Sequence, residues 1–198
     1  MTMAANHYVH IFRRRREGKT DYRKRRGMIF GRTPFLAVRI SGRYIYAQIL
    51  KPAPQGDLTL CSASSRNLTK FGWKGSAKNL PSAFLTGYHL GRIAKGKKVS
   101  DVILYSGVGR FVHGSRIASV IKGAKEAGLD ISVGEDVLPE DDRIKGQHVE
   151  EYAKKLETED KQKFDKTFSR IIANGANPTN YSSDFDKVKV AIDKGAKS

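Results

Sequence analysis

The side chains with the clearest chemistry in this 198-residue chain are the cations of segment 13–26. Nine lysine and arginine residues stand there with two carboxylates, and Tyr22 is the one large apolar side chain. A guanidinium fork matches two phosphate oxygens at once and stacks on bases, whereas lysine offers a point charge. We therefore expect the segment to bind a polyanion, with RNA as the first hypothesis. Because it has little apolar surface to bury, it is predicted to be a free arm that becomes ordered on its partner.

The positive charge of the chain is concentrated in its first half. The net charge is +17, of which residues 1–32 carry +8 and residues 33–100 carry +10, while residues 101–198 carry −1. A basic surface next to an arginine-rich arm is typical of nucleic-acid binding. The second half is expected to face protein or solvent.

A glycine-containing turn at 107–116 stands between an apolar run and a helix, where phosphate-binding loops occur. Gly109 and Gly114 have the P-loop spacing, but Ser115 and Arg116 follow where the lysine is required. The dinucleotide pattern fails as well, because Val112 occupies the place of its third glycine. A glycine turn with Ser115 as the helix N-cap explains the same residues, so no nucleotide cofactor is predicted.

The remaining polar clusters do not predict a metal site or an enzyme. Five acids within 135–142 are typical of a solvated loop that begins a helix. The histidines at 7, 10, 89, 113 and 148 lack metal-ligand spacing, and no nucleophile has a base and an orienting partner. The single cysteine, Cys61, fits a buried side chain in a reducing cytosol. We predict no cofactor, no metal, no small-molecule substrate and no catalysis.

No apolar run in the chain has the length of a signal peptide or of a membrane span. The prediction is therefore a cytoplasmic protein without a membrane partner.

The elements that would carry the basic surface begin at residue 35. Two strands at 35–40 and 44–50 enclose the turn 41–43, and a third strand at 58–63 completes an antiparallel meander. A helix from Pro81 to about Lys95, a buried strand at 102–105, a helix from Ser115 and a strand at 129–133 follow. The fold class is α/β: a mixed sheet with helices packed on it, an extended basic N-terminal arm and a helical C-terminal extension.

Small residues recur every four positions in the first long helix, at Ala83, Gly87 and Gly91. In a membrane this spacing favours helix dimerisation, but in so polar a chain it predicts a smooth face lying close to a sheet. Further helices are predicted at 142–156 and 161–173, with another short one within 181–198. The predicted domains are the arm at 1–32, the core at 33–140 and the C-terminal extension at 141–198.

The strands and the loop after them add cations and aromatic rings to the predicted RNA surface. Tyr44 and Tyr46 could stack on bases, or could equally be strand residues with a wetted hydroxyl, and Trp73 lies in a glycine-rich basic loop. The predicted RNA-binding set is Arg13, Arg14, Arg15, Arg16, Lys19, Tyr22, Arg23, Lys24, Arg25, Arg26, Arg32, Arg39, Arg43, Tyr44, Tyr46, Lys70, Trp73 and Lys74.

An ordered series of short motifs resembles one protein family. The series is RRRREGKTDY at 13–22, RYIYAQ at 43–48, GWKG at 72–75, NLPSAFLTG at 79–87, GSR at 114–116, KGA at 122–124, AGL at 127–129, LP at 138–139, DRI at 142–144 and GQH at 146–148, before Tyr152. It is similar to the 5S-rRNA-binding proteins of the large ribosomal subunit, the L-eighteen family, in its archaeal and eukaryotic branch.

The resemblance implies a structural protein that holds 5S rRNA in the central protuberance and meets large-subunit rRNA and neighbouring ribosomal proteins. Two alternatives from other classes stay open. An RNA-processing enzyme would need clustered carboxylates on adjacent strands, and the strands here carry almost none. A general RNA-binding assembly factor or RNA chaperone would bind unrelated RNA as well as 5S rRNA.

Overall fold

Four strands and eight helices organise the chain in a computed structural model that describes residues 10–195. Residues 1–9, with His7 of the predicted arm, and residues 196–198 of the predicted extension lie outside the described residues. The elements are α1 Arg13–Arg16, α2 Tyr22–Gly31, β1 Phe35–Ile40, β2 Ile45–Lys51, β3 Leu58–Ser64, α3 Leu80–Gly96, β4 Ile103–Tyr105, α4 Arg116–Glu126, α5 Asp141–Lys145, α6 Gln147–Glu159, α7 Lys161–Ala173 and α8 Tyr181–Gly195. Short 3-10 turns occupy Ser65–Phe71, Glu135–Val137 and Pro178–Asn180.

The strands form one mixed sheet in the order β3-β2-β1-β4. Strand β2 is antiparallel to both β1 and β3, and β4 is parallel to β1, so the predicted meander and the parallel direction of the last strand are confirmed. The prediction that this last strand is buried was wrong, because β4 lies at the edge of the sheet and Ile103 is 54% exposed. The predicted strand at 129–133 is reduced to a single bridge between Asp130 and Asp101. Its apolar alternation has another cause, because Leu129 and Ile131 are buried in the core without belonging to a ladder.

The main core lies between one face of the sheet and helices α3 and α4. Alternate residues of β2, namely Ile45, Ala47 and Ile49, point into it and are fully buried. Leu90 of α3 and Ile121 of α4 close the core from the other side. The period-two pattern of the strand therefore identifies the inner face of the sheet. The opposite face, which carries Arg39 and Tyr46, is the outer face.

Glycines bring α3 and α4 into close contact. A Cβ on Gly87 would overlap the carbonyl oxygen of Val120, and one on Gly123 would overlap the carbonyl oxygen of Phe84. A Cβ on Gly91 would lie 2.5 Å from the Cβ of Ala127. The predicted smooth face exists, but the prediction of its partner was wrong. Gly87 and Gly91 receive helix α4 rather than the sheet, because two helix backbones can approach closely only where side chains are absent.

A second core joins α3 to the C-terminal helices. Tyr88 packs in it with Phe185 and Ile192 of α8, and the Tyr88 hydroxyl donates a 2.8 Å hydrogen bond to Asp193. Helices α6 and α7 form a further small cluster around Leu156. The helix predicted at 142–156 is two helices, α5 and α6, because Gly146 between them has a φ of +79°. The helix predicted at 161–173 and the one within 181–198 are present, and α8 packs on the first half of the chain. The domain boundaries at 32 and 140 stay predictions.

The N-terminal arm is not extended in its described part. Asp21 caps α2 by accepting hydrogen bonds from the backbone N–H groups of Arg23 and Lys24, which gives this basic segment a defined helix start. Gly18 separates α1 from α2 with a φ of +63°, and Gly27 lies inside α2 without breaking it. A contact between the rings of Phe12 and Tyr22, with centroids 5.0 Å apart, joins the two helices. The described part of the arm is therefore helical rather than extended, and its ordering on a partner stays a prediction.

Candidate nucleic-acid interface

Most predicted cations of the arm are exposed to solvent. The four arginines of α1 bury no atoms in the core, and Arg13 and Arg14 are held by Glu17 and by the Thr20 hydroxyl, each at 2.8 Å. The exposed predicted cations of the arm are Arg13, Arg14, Arg15, Arg16, Lys19, Arg23, Lys24, Arg26 and Arg32. Their guanidinium and ammonium groups can therefore reach a phosphate backbone without unfolding any element.

Arg25 has a different position from the other arm cations. Its Nη1 lies 2.7 Å from Asp57 Oδ2, and its Nη2 donates a 3.3 Å hydrogen bond to the Ala53 carbonyl. This hydrogen bond to Asp57 raises the pKa of the Arg25 guanidinium, so the guanidinium stays charged. Arg25 fastens α2 to the turn between β2 and β3. It therefore helps to position the arm, and its predicted role as a phosphate contact stays a prediction.

A cavity of about 610 Å³ lies between the arm and the outer face of the sheet. Arg14 and Lys19 line it from the arm, and Arg39 lines it from β1. Aromatic side chains complete the wall, with Tyr22 on the arm and Tyr105 at the end of β4. The fold thus brings five predicted residues, Arg14, Lys19, Tyr22, Arg25 and Arg39, around one basic cavity with aromatic walls.

The outer face of the sheet continues this surface away from the arm. Arg39 of β1 is paired in register with Tyr46 of β2, which is in turn paired with Ser64 of β3. Side chains directly opposite each other on one face of an antiparallel pair are neighbours, so Arg39 and Tyr46 stand side by side. Tyr46 is 42% exposed. The strands therefore present a cation and a ring together, as predicted.

A groove of about 710 Å³ begins where the hairpin turns. The predicted residues Arg43, Tyr44 and Lys74 line it. Lys78 and Arg170 at the end of α7 line it as well. Lys70, the remaining predicted cation, is exposed in the 3-10 turn before this loop.

Trp73 is a core residue, and its predicted role as a stacking platform was wrong. Its side chain is only 3% exposed, its ring meets Tyr181 of α8 edge-on at 5.2 Å, and its Nε1 donates a 3.1 Å hydrogen bond to the Ser76 carbonyl. Burial raises the pKa of Tyr181 to about 12, which keeps this neighbouring phenol neutral. The ring of Trp73 has no free face for a base, because the C-terminal extension covers it.

We expect Trp73→Leu to lower the free energy of unfolding by about 3 kcal/mol, near the value for large-to-small core changes. RNA affinity of the folded variant is expected to stay within about twofold of the parent. Tyr46→Leu is the matched control on the exposed surface and is expected to show the reverse pattern. Urea denaturation and RNA titration of both variants measure the two quantities. A loss of RNA affinity by Trp73→Leu matching the roughly 1–3 kcal/mol of a stacked base would contradict the core assignment.

Other candidate chemistry finds no support in the part of the chain that the structure describes. Residues 10–195 contain no group of three or more His, Cys, Asp or Glu side chains that could hold a metal ion. In the same range, no helix is both long and apolar enough to cross a membrane. Burial lowers the pKa of His89 and His148, which favours neutral imidazoles near pH 7. Burial also raises the pKa of the Cys61 thiol, which favours an unreactive side chain.

Comparison with known proteins gives a consistent result. Residues 6–101 match the family described as "Ribosomal large subunit proteins 60S L5, and 50S L18". The large ribosomal subunit protein uL18 of Caldivirga maquilingensis is 43% identical over 98% of the chain and 95% of its own length. The chain belongs to this family. The uL18 proteins of Thermofilum pendens and Methanothermobacter thermautotrophicus are 42% and 41% identical, over 92% and 94% of the chain and 93% and 96% of their own lengths.

Membership in the L18 family confirms the predicted family and its archaeal character. It makes the chain a structural, non-enzymatic component of the large ribosomal subunit, located with the ribosome in the cytoplasm. The match at 6–101 includes the arm, the outer face of the sheet and the loop that buries Trp73. It ends before α7.

Two basic residues of the groove were missing from the predicted set. Lys78 follows the Trp73 loop, and its Nζ donates a 3.2 Å hydrogen bond to the Gly42 carbonyl of the hairpin turn. Arg170 stands in the last turn of α7, where a cation also suits the helix dipole. In the sequence, Arg170 looks like any other charge on the polar face of an amphipathic helix. Its place in the groove depends on the fold, which brings the end of α7 to the same groove as the hairpin turn.

Proposed function

We propose that the chain binds 5S rRNA and helps to anchor it to the large-subunit rRNA in the central protuberance. The observation that carries the proposal is the convergence of arm and sheet around one basic cavity, where Arg14 and Lys19 face Arg39. The exposed arginines of α1 and α2 extend the same surface. Family membership supports rRNA as the polyanion and neighbouring large-subunit proteins as further partners.

Different residues of this surface bind the phosphate backbone and contact the bases. The arm cations neutralise phosphates and set the affinity, which makes binding depend on salt because counterions are released. Tyr22 and Tyr46 offer rings, and Arg39 a stacking guanidinium, beside the cavity, where an unpaired base can rest. Arg25 holds α2 in place for both tasks through Asp57. The proposed RNA-binding function needs no catalytic group.

Titration of the full chain with 5S rRNA at increasing salt tests the proposal. With about five phosphate contacts, we expect log K to fall against log salt with a slope of about −4.5, taking roughly −0.9 per duplex contact. Unrelated RNA of equal length, added as competitor at physiological salt, is expected to displace little 5S rRNA. A slope near zero would overturn the electrostatic account. Equal competition by unrelated RNA would favour a general assembly factor or RNA chaperone.

A further inference from the structure

The groove at the hairpin turn is a second basic site, and it includes the C-terminal extension. One wall consists of Arg43 and Tyr44 from the hairpin, and the other includes Arg170 of α7. Lys74 and Lys78 lie between them, on the loop 72–78. None of the residues that line the groove is a carboxylate. A surface with four cations and no acid attracts an anion.

The two lysines are positioned without losing their charge. Lys74 Nζ donates a 3.2 Å hydrogen bond to the Gly175 carbonyl after α7, and Lys78 Nζ donates to the Gly42 carbonyl. Carbonyl oxygens orient an ammonium group but do not neutralise it, and each ammonium keeps further donors for a ligand. The contact between Lys74 and the end of α7 has a second hydrogen bond, which the Asn174 side chain donates to the Lys74 carbonyl at 3.3 Å. These hydrogen bonds fix the loop 72–78 against the end of α7 and so define the shape of the groove.

The two arginines stay available for a ligand. Arg43 and Arg170 are exposed, and within residues 10–195 neither forms an ion pair with a carboxylate. Each guanidinium fork can therefore bind two oxygens of one phosphate. A volume of about 710 Å³ falls within the roughly 300–1,000 Å³ range of sites that hold drug-sized ligands, which leaves room for one or two nucleotides.

We propose that this groove binds a single-stranded segment of RNA, with phosphates on Arg43, Arg170 and the two lysines and a base against Tyr44. The inference rests on the proposed RNA-binding function and extends it to the C-terminal half of the chain. RNA is favoured over an acidic peptide because the hairpin that carries Arg43 and Tyr44 into the groove also carries Tyr46 on the outer face of the sheet. Tyr44 stands two residues before Tyr46, which lies opposite Arg39 of the arm cavity. Rings interleaved with arginines suit bases as well as phosphates.

The groove is a positively charged site that includes a residue from the half of the chain with a net negative charge. Residues 101–198 carry a net −1, which predicts that this half faces protein or solvent. In the groove, one arginine of that half stands with cations from residues 33–100. The local charge around Arg170 is thus opposite in sign to the average of its half. The C-terminal extension acts there as part of the RNA surface.

Arg170→Glu in the full chain tests the inference, with Arg143→Glu as the matched control. Arg143 is an exposed arginine of the same extension that does not line the groove, so both variants change the total charge equally. We expect Arg170→Glu to weaken 5S rRNA binding about tenfold or more and to make the salt slope shallower by about 0.7–0.9. Arg143→Glu is expected to stay within about twofold. Circular dichroism of both variants checks that each is folded.

Ultraviolet cross-linking of the parent chain to 5S rRNA, followed by peptide mapping, gives a second readout. A nucleotide adduct on the peptide that contains Tyr44, lost in Arg170→Glu, is the expected result. Equal RNA affinity of the two glutamate variants, with no Tyr44 adduct, would overturn the inference while leaving the arm cavity untouched. Loss of poly-glutamate binding alone in Arg170→Glu would assign the groove to an acidic protein partner instead. Failure of the parent chain to bind 5S rRNA would be a failure of the proposed function itself.

Discussion

Changing Arg13, Arg14, Arg15 and Arg16 together to glutamine is expected to weaken 5S rRNA binding by about three orders of magnitude. Each exposed arginine–phosphate contact contributes on the order of 1 kcal/mol, and four such losses multiply in the affinity. The salt slope is expected to become shallower by about 3–4. The fold is expected to be unaffected, because α1 has no buried residues. Fluorescence titration at several salt concentrations, with urea denaturation of the same samples, measures both effects.

The matched control changes Lys154, Lys155, Lys161 and Lys163, four exposed cations of the C-terminal extension, to glutamine. This variant has the same total charge as the arginine variant but an intact arm. We expect its affinity to fall less than about threefold. Similar losses in the two variants would show that total charge, rather than the arm surface, governs binding. The structure would then give no reason to place the RNA at the arm.

Gly87→Ala is expected to lower the free energy of unfolding by about 3 kcal/mol or more. The new Cβ would overlap the carbonyl oxygen of Val120, and the next nearest atoms are also backbone atoms of α4. A backbone cannot turn aside as a flexible side chain can, so α3 and α4 must separate and the main core between them and the sheet must open. Overpacking costs of this kind usually run to about 1–3 kcal/mol and exceed that range where relaxation is blocked. Urea denaturation measures the change.

Gly96→Ala supplies the control on the same helix. Nothing lies within 4 Å of a Cβ built on Gly96, and alanine is the better helix former by about 1 kcal/mol. We expect this variant to be at least as stable as the parent. If Gly87→Ala lost less than about 1 kcal/mol, the close crossing of α3 and α4 would not be needed for stability.

The sheet was predictable because its signal is local. The alternation of Ile45, Ala47 and Ile49 marks a half-buried strand, and the turn at 41–43 fixes the hairpin register. The spacing of Gly87 and Gly91 likewise predicts a close approach along α3. It cannot name the partner, since an uninterrupted helix surface can receive a sheet or another helix. The partner is fixed by Gly123, which lies 36 residues further on in α4 and shows no link to Gly87 in the sequence.

The residue types of the candidate site could be predicted from the sequence, but their arrangement in space could not. Exposed arginines in the arm follow from charge and from the lack of apolar partners. Trp73 was misplaced because tryptophan in a glycine-rich basic loop fits both a stacking platform and a core anchor. Its burial depends on Tyr181, which lies 108 residues later in the chain. Asp57 reaches Arg25 across 32 residues, and Arg170 shares a groove with the hairpin turn from the far end of the chain, which no local pattern encodes.

Helix α3 packs in both the main core and the second core, and these two cores become complete at different times during synthesis of the chain. Its second face is covered only when Phe185, Val188 and Ile192 arrive, and Tyr88 finds its acceptor 105 residues later in Asp193. A nascent chain that has released the sheet and α4 from the exit tunnel therefore still exposes Trp73 and Tyr88 to water. Contacts this far apart in sequence also slow folding. The second core can therefore close only after α8 has left the tunnel.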